Sequence, residues 1–206
     1  TAALAADPEK AEKFNDAVPA AIPIAEKLPF GEATDDEVAT YEFLDAVAFS
    51  TVRELVGLDE CELAVSGAAP IPADLVRWFR AIGVPFAEVY GMSENTGAMS
   101  FEAKLIKAGT VGKAMPGSEL EIFPDGEVCC RGGHVFEGYL NDPDKTAEAL
   151  DDDGWLHSGD IGEWVDVAPG KGGGAPLREI RIVDRKKDIM ITSGGKNIAP
   201  SEVENL

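Results

Sequence analysis

The sequence predicts an α/β protein: part of a parallel-sheet lobe over residues 1–109, a small barrel-like β subdomain over 110–184, and the start of a further, truncated domain over 185–206. Three observations carry this. A strand–helix–strand order runs from Leu63 to Tyr90. After about residue 110 the texture changes to short apolar runs punctuated by Gly and Pro. At the end, Pro200 opens a helix that continues only to Leu206. So short a helix is marginal without tertiary support, so the chain reads as one cut at the start of another domain.

Residues 1 to about 59 are expected to be helical, rich in Ala, Glu and Lys and broken by Pro19, Pro23 and Pro29. Phe43, Val47, Val52, Leu55 and Val56 are spaced to cover a sheet. Leu63-Ala64-Val65 reads as a strand that ends at Ser66-Gly67-Ala68-Ala69-Pro70. Ile71, Leu75, Trp78, Phe79 and Ile82 recur at helical spacing, with Pro72 at the start and Gly83 at the stop. Phe86–Tyr90 is the next strand. A β-α-β unit makes its strands parallel neighbours. The loops Ser66–Pro70 and Gly91–Gly97 then leave the carboxyl ends of those strands, the edge where open α/β sheets bind ligands.

In the β-rich part, strands are expected at Leu120–Phe123, Glu127–Arg131, Gly162–Val165 and Arg178–Val183, with Pro124-Asp125-Gly126 as a turn. A short helix is predicted from about Pro143 to Leu150. Ala168–Pro176 reads as a mobile glycine-rich surface loop.

Composition excludes several function classes. With 38 acidic and 18 basic residues the net charge is −20, which opposes broad contact with nucleic acid or with anionic lipid. The one basic cluster visible in the sequence is Arg181, Arg185, Lys186, Lys187 and Lys196. No apolar run reaches the length of a membrane span, and no signal peptide is visible. The chain begins without Met, as a piece or a processed product would. Cys61, Cys129 and Cys130 read as small buried hydrophobes in a reducing cytoplasm; with His134 and His157 they do not make a zinc pattern.

Several motifs fail on inspection. Gly194-Gly195-Lys196-Asn197 lacks the earlier glycine and the hydroxyl of a P-loop. Gly170–Gly174 does not follow a strand as a dinucleotide fingerprint would. Asp151-Asp152-Asp153-Gly154 lacks calcium-loop spacing and reads as a solvated turn. There is no Gly-x-Ser-x-Gly elbow.

Three segments hold. Tyr90-Gly91-Met92-Ser93-Glu94-Asn95-Thr96-Gly97 offers a ring face, flexible backbone, a hydroxyl and a carboxylate in five residues. Gly154-Trp155-Leu156-His157-Ser158-Gly159-Asp160 comes second. Third is Asp184-Arg185-Lys186-Lys187-Asp188, continuing to Gly194-Gly195-Lys196-Asn197-Ile198-Ala199-Pro200-Ser201-Glu202-Val203-Glu204. Taken singly, Tyr90 and Trp155 could be core aromatics, Asp160 a turn cap, and Arg185–Lys187 a solvated face.

In this order the segments resemble the adenylate-forming acyl-CoA synthetases, closest to long-chain fatty acid–CoA ligases, over about residues 60–206. Ser158 stands where the family usually has Thr. The resemblance implies an adenylate-forming lobe that uses ATP, Mg²⁺ and CoA on a fatty acid, in the cytoplasm, without nucleic acid, and with peripheral membrane contact through the substrate. It implies that Gly67, Ala68 and Ala69 lie against adenine and near the acyl tunnel. Tyr90, beside Gly91, would face the base, and Ser93 would donate to the α-phosphate. Glu94 would hold Mg²⁺. Asp160 would accept from both ribose hydroxyls, and Arg185 would reach ribose or phosphate oxygens. Lys187 takes the hinge position, and Gly194 and Gly195 line the passage for CoA. The family's Ser/Thr/Gly-rich triphosphate loop is missing from these residues, and so is its adenylation lysine. The residues alone are therefore expected to be inactive. Two alternatives stand beside this: a different adenylating enzyme (an acyl-AMP ligase loading a carrier protein, or a luciferase-like oxygenase), and a non-catalytic truncated binding module.

Overall fold

The computed structural model describes residues 8–167, 177–191, 197, 198 and 200. The expected mobile loop at 168–176 and the residues Gly194 and Gly195 lie outside them.

Helix α1 spans Pro8–Lys27. Contrary to expectation, Pro19 and Pro23 do not interrupt it. Both prolines are exposed, so the carbonyls that lose an N–H partner face water. The opposite face buries Phe14, Ala17, Val18, Ala21, Ile24 and Ala25, which holds the helix through both positions. Only Pro29 lies at a break, in the 3₁₀ turn Leu28–Phe30 that ends on left-handed Gly31. Helix α2, Asp35–Leu44, starts from a capping box between Thr34 and Glu37. A π-helical turn, Asp45–Phe49, joins it to α3, Ser50–Val56.

That π turn overturns the predicted packing face. Phe43, Val47, Leu55 and Val56 are 64%, 56%, 59% and 45% exposed, whereas Phe49 and Val52 turn inward. One extra residue per turn rotates the apolar positions out of a single stripe. Phe14, Val18, Phe49, Val52, Ile82 and Val84 form the first core, with Trp78 and Phe86 packed against it.

Strand β1, Ala64–Ser66, and strand β2, Phe86–Tyr90, are parallel, in register from Ala64 opposite Phe86 to Ser66 opposite Glu88. Helix α4, Ala73–Ala81, connects them, with Pro72 at its N-cap. The sheet continues with two short antiparallel strands, β3 (Ser100–Phe101) and β4 (Lys113–Ala114), in the order β1-β2-β3-β4.

A second, antiparallel sheet has the order β5-β6-β7-β8: Ser118–Ile122, Glu127–Gly132, Leu156–Val167 and Leu177–Arg185. Strand β7 extends well beyond the predicted Gly162–Val165 and includes the Leu156–Asp160 motif. Two irregularities hid its length. Between β6 and β7 the register passes from Glu127 opposite Ile161 to Cys129 opposite His157, and between β7 and β8 it shifts at Ile161–Gly162. Helix α5, Pro143–Ala149, starts from Asp142, whose carboxylate accepts the Lys145 N–H. The last described strands are β9, Met190–Ile191, and β10, Asn197–Ile198, an antiparallel pair. Met99, Leu120, Val128, Cys130, Leu156 and Ile180 form the second core, and Tyr90 and Met92 pack against it from the first sheet. Among the described residues, no helix is long and apolar enough to cross a membrane.

Candidate nucleotide site

Two loops leave the carboxyl ends of β1 and β2. In the first, a Cβ on Gly67 would stand 2.7 Å from Val89 Cγ1, so the residue must be Gly to let the loop cross β2. Ala68 adopts φ 70°, rare for a residue with a side chain. Gly67, Ala68 and Ala69 are all exposed.

The second loop folds back on itself. A Cβ on Gly91 would lie 1.7 Å from Gly97 O. The Met99 N–H donates to Tyr90 O at 2.8 Å and the Gly97 N–H to Met92 O at 3.1 Å. The 3₁₀ turn Ser93–Asn95 lies between them, with Asn95 buried and Ser93 exposed. Asn95 Oδ1 accepts the Met92 N–H at 2.8 Å.

Glu94 is fixed by the segment after β6. The Tyr139 hydroxyl donates to Glu94 Oε1 at 2.7 Å, and the Phe136 N–H donates to Glu94 O at 2.7 Å. The hydrogen bond to Glu94 raises the Tyr139 hydroxyl pKa. Glu94 Oε2 has no protein partner among the described residues. A half-buried carboxylate with one anchored and one free oxygen fits a hard cation such as Mg²⁺.

The two motifs meet at Tyr90. Its hydroxyl donates to Asp160 Oδ2 at 2.7 Å. Burial, and behind it the Asp160 charge, pushes the Tyr90 pKa upward, so the phenol keeps its proton and donates. Asp160 lies opposite Arg185 in the β7–β8 ladder, with Arg185 Nε 3.8 Å from Oδ1. Ser158 Oγ accepts the Asp160 N–H at 3.1 Å. Tyr90, Asp160 and Arg185 thus stand in one line of contact, reached from three separate parts of the sequence. Lys187 is exposed just beyond β8.

Two site residues escaped sequence reasoning. Glu88 lies two residues before Tyr90 on β2, hence on the same strand face. Burial raises its carboxyl pKa to about 7, against a lowering interaction with the Ile71 backbone beside the first loop. Alternation along β2 was the available signal. The other is Glu127, only 5% exposed. It accepts the Gly159 N–H at 2.8 Å on Oε1, and faces His157 Nδ1 at 3.0 Å and Lys186 Nζ at 2.9 Å on Oε2. Burial would raise its pKa, but these hydrogen bonds outweigh that and hold it below the usual value. Lys186 Nζ also donates to Asp125 Oδ2 at 2.7 Å, and its backbone N–H to Gly159 O at 2.8 Å. Glu127 therefore ties the Ser158–Asp160 bulge to the residue before Lys187. No local pattern in the sequence announces this.

His157 also sits 3.7 Å by Nε2 from Asp151 Oδ2. With Glu127 and Cys129 it forms a compact group of three metal-capable side chains. Glu127 is already engaged by Lys186, and burial pushes the Cys129 thiol up to about 12, away from the thiolate a metal needs. Cys129 and Cys130 are fully buried and Cys61 partly so; all three are free.

The sequence profile of a family described as "AMP-binding enzyme" matches residues 8–140. FadD11 of Mycobacterium tuberculosis, a candidate fatty-acid–CoA ligase, is 42% identical over 183 residues, 88% of this chain and 30% of its own length. The long-chain fatty-acid–CoA ligase ACSBG2 of Rattus norvegicus is 38% identical over 172 residues, 81% of this chain and 24% of its own. The chain thus spans less than a third of either relative. Among solved structures, a fatty acyl CoA synthetase of M. tuberculosis aligns with a TM-score of 0.53 and 29% identity, covering 81% of this chain and 32% of that one. The O-succinylbenzoate CoA synthetase of Bacillus subtilis, in complex with ATP and magnesium ion, aligns at 0.57 and 26%, covering 84% and 38%.

Proposed function

The chain belongs to the AMP-binding enzyme family, and from that premise we propose that it supplies the adenine, ribose and Mg²⁺ side of a site that activates a long-chain fatty acid with ATP. In this reading the acid's carboxylate attacks the α-phosphorus, giving acyl-adenylate and releasing pyrophosphate. The thiol of CoA then attacks the acyl carbonyl, AMP leaves, and a thioester forms. The names of the curated relatives support the acid and the acceptor. The peptide units 1–109, 110–184 and 185–206 serve as the base-binding lobe, the ribose-binding subdomain and the start of the small domain.

The observation that carries the reading is the 2.7 Å bond from Tyr90 to Asp160. It holds an aromatic ring directly against a carboxylate, with Arg185 beside them. Tyr90 offers its ring to adenine and Asp160 accepts from the ribose hydroxyls. Ser93, exposed at the head of its turn, donates to the α-phosphate. Glu94, anchored by Tyr139, holds Mg²⁺, which offsets phosphate charge. Gly67–Ala69 leave room for the base and the acyl chain, and Lys187 acts as the pivot. Gly194 and Gly195, outside the described residues, border the CoA passage. The protein's contribution is positioning and charge stabilisation. These 206 residues carry no triphosphate loop and no adenylation lysine in the family's pattern, so alone they bind nucleotide without turning it over. The three free cysteines support a reducing, cytoplasmic setting.

The test is calorimetric titration of the chain with AMP, alongside ATP–pyrophosphate exchange. AMP should bind, Asp160→Ala should weaken it at least tenfold, Glu94→Gln should abolish its dependence on Mg²⁺, and exchange should stay at background. Unchanged AMP binding in Asp160→Ala would remove the site assignment, and robust exchange would remove the claim of inactivity.

A further inference from the structure

A second cluster of positive charge exists that the sequence does not reveal, because its members come from three separate segments. Lys27 ends α1, Arg77 and Arg80 lie on the last turns of α4, and Lys107 follows β3. They line a cavity of about 400 Å³, within the range of small-ligand sites. Its wall is otherwise largely apolar, from Pro23, Phe30, Ile106 and Val167. Val167 lies seven residues along β7 from Asp160, so the cavity is about 20 Å from the nucleotide site.

The charges around it do not cancel. Arg77 is paired with Glu26 and Asp74, and Lys27 with Glu37. Arg80 has no carboxylate partner among the described residues; its guanidinium donates to the Phe86 carbonyl at 3.2 Å. Burial lowers its pKa, against a raising contribution from Tyr41. Among the described residues, the Lys107 side chain reaches only the Asp166 carbonyl, at 3.4 Å. Glu32 is the remaining acid on the wall. Behind Lys107, buried Glu179 accepts the Thr110 hydroxyl on Oε2, and burial raises its pKa toward the neutral form. In a chain of net charge −20, a half-buried Arg80 without an acid partner, beside the exposed Lys107 at a largely apolar wall, leaves positive charge uncompensated. An anion with an apolar body would relieve it.

We propose that this cavity binds a small amphiphilic anion, its carboxylate or phosphate head between Arg80 and Lys107 and its apolar chain along Pro23, Phe30, Ile106 and Val167. The site is independent of the adenylate reading. It makes this face of the chain a place where an organic anion binds beyond the nucleotide crevice.

The test is a ¹⁵N NMR titration of the chain with octanoate, octyl phosphate, neutral octanamide and inorganic phosphate. Octanoate, octyl phosphate or both should shift the amides of Arg80, Lys107, Ala108 and Val167 saturably; which one binds identifies the head group. Octanamide and inorganic phosphate should bind at least tenfold more weakly, since each lacks half of the recognition. Arg80→Gln should raise the Kd tenfold or more while AMP-induced shifts near Tyr90 and Asp160 stay as in the parent. Because Arg80 also supports Phe86, Lys107→Gln and Ala108→Trp give a second reading: the first should weaken binding several-fold and the second, by filling the cavity, should abolish it. The proposal is overturned if the shifts gather instead at Phe43, Val47, Leu55 and Val56 or at Gly67–Ala69. It is equally overturned if octanamide binds as well as octanoate, or if the Lys107 and Ala108 variants bind like the parent.

Discussion

Removing the Tyr90 hydroxyl tests the junction between the two motifs most directly. In Tyr90→Phe the ring remains to pack against Met99, Val128 and their neighbours, so the change isolates one hydrogen bond. That bond is 2.7 Å long and its acceptor is a carboxylate oxygen, a class worth about 1.5–3 kcal/mol. Asp160 is 21% exposed and keeps the Arg185 contact, so water and the guanidinium recover part of the loss. The expected cost is therefore at the lower end, about 1.5–2 kcal/mol, or a fall in Tm of roughly 3–8 °C for a chain of this size. Urea denaturation should show a lower midpoint with unchanged slope, since the buried surface is the same. A double-mutant cycle with Asp160→Asn should give a coupling of about 1 kcal/mol or more. Additivity of the two variants within about 0.5 kcal/mol would falsify the claim that the motifs are bonded to each other.

Other substitutions probe the remaining parts. Gly91→Ala should cost at least about 3 kcal/mol, because the new methyl would sit 1.7 Å from Gly97 O; a variant that melts like the parent would show that the turn does not fold back. Glu88 has a folded pKa raised from 4.5 to about 7, so the stability its protonated form contributes is present below about pH 4.5 and is lost as pH rises through 7. Glu88→Gln should flatten that stretch of the stability–pH curve and raise the urea midpoint at pH 8; a curve parallel to the parent's would refute the burial argument. Glu127 has the opposite sign: its folded pKa is depressed, so its contribution is present above about 4.5 and disappears as pH falls below it. Glu127→Ala, which takes the acceptor from the Gly159 N–H and leaves Lys186 with Asp125 alone, should cost about 1–3 kcal/mol at pH 7 and speed amide exchange at Gly159, read by hydrogen exchange. Tyr139→Phe should leave AMP affinity without metal intact and raise the Mg²⁺ concentration for half-maximal stimulation several-fold, because Glu94 Oε1 loses its anchor.

Much of the architecture was legible in local chemistry. The β-α-β unit followed from helical spacing between Pro72 and Gly83 and a five-residue strand-like run at Phe86–Tyr90, which became β2 with the same bounds. The Pro124–Gly126 turn was legible because Gly126 needs a left-handed backbone, φ 87°. Legibility failed where a contact distant in sequence overrode a local preference. Pro19 and Pro23 look like breakers, yet burial of one face of α1 carries the helix past them. Phe43, Val47, Leu55 and Val56 look like a buried stripe, yet the π turn rotates them outward. Strand β7 looked short because bulges disguise its alternation.

By itself the sequence supplied the site's candidates: Tyr90, Ser93, Glu94, Asp160, Arg185 and Lys187 are singled out by residue type and order, and the family resemblance rests on the segments that hold them. Only the tertiary structure decided who holds whom. That Tyr90 donates to Asp160 across 70 positions, that Tyr139 anchors Glu94 across 45, and that Glu127 joins Gly159 to Lys186 are facts of through-space geometry. The same holds for Lys27, Arg77, Arg80 and Lys107, scattered along the chain and gathered at one cavity. Periodicity and turn chemistry act over a few residues, whereas hydrogen bonds and ion pairs depend on distances of about 3–4 Å that only the folded chain sets.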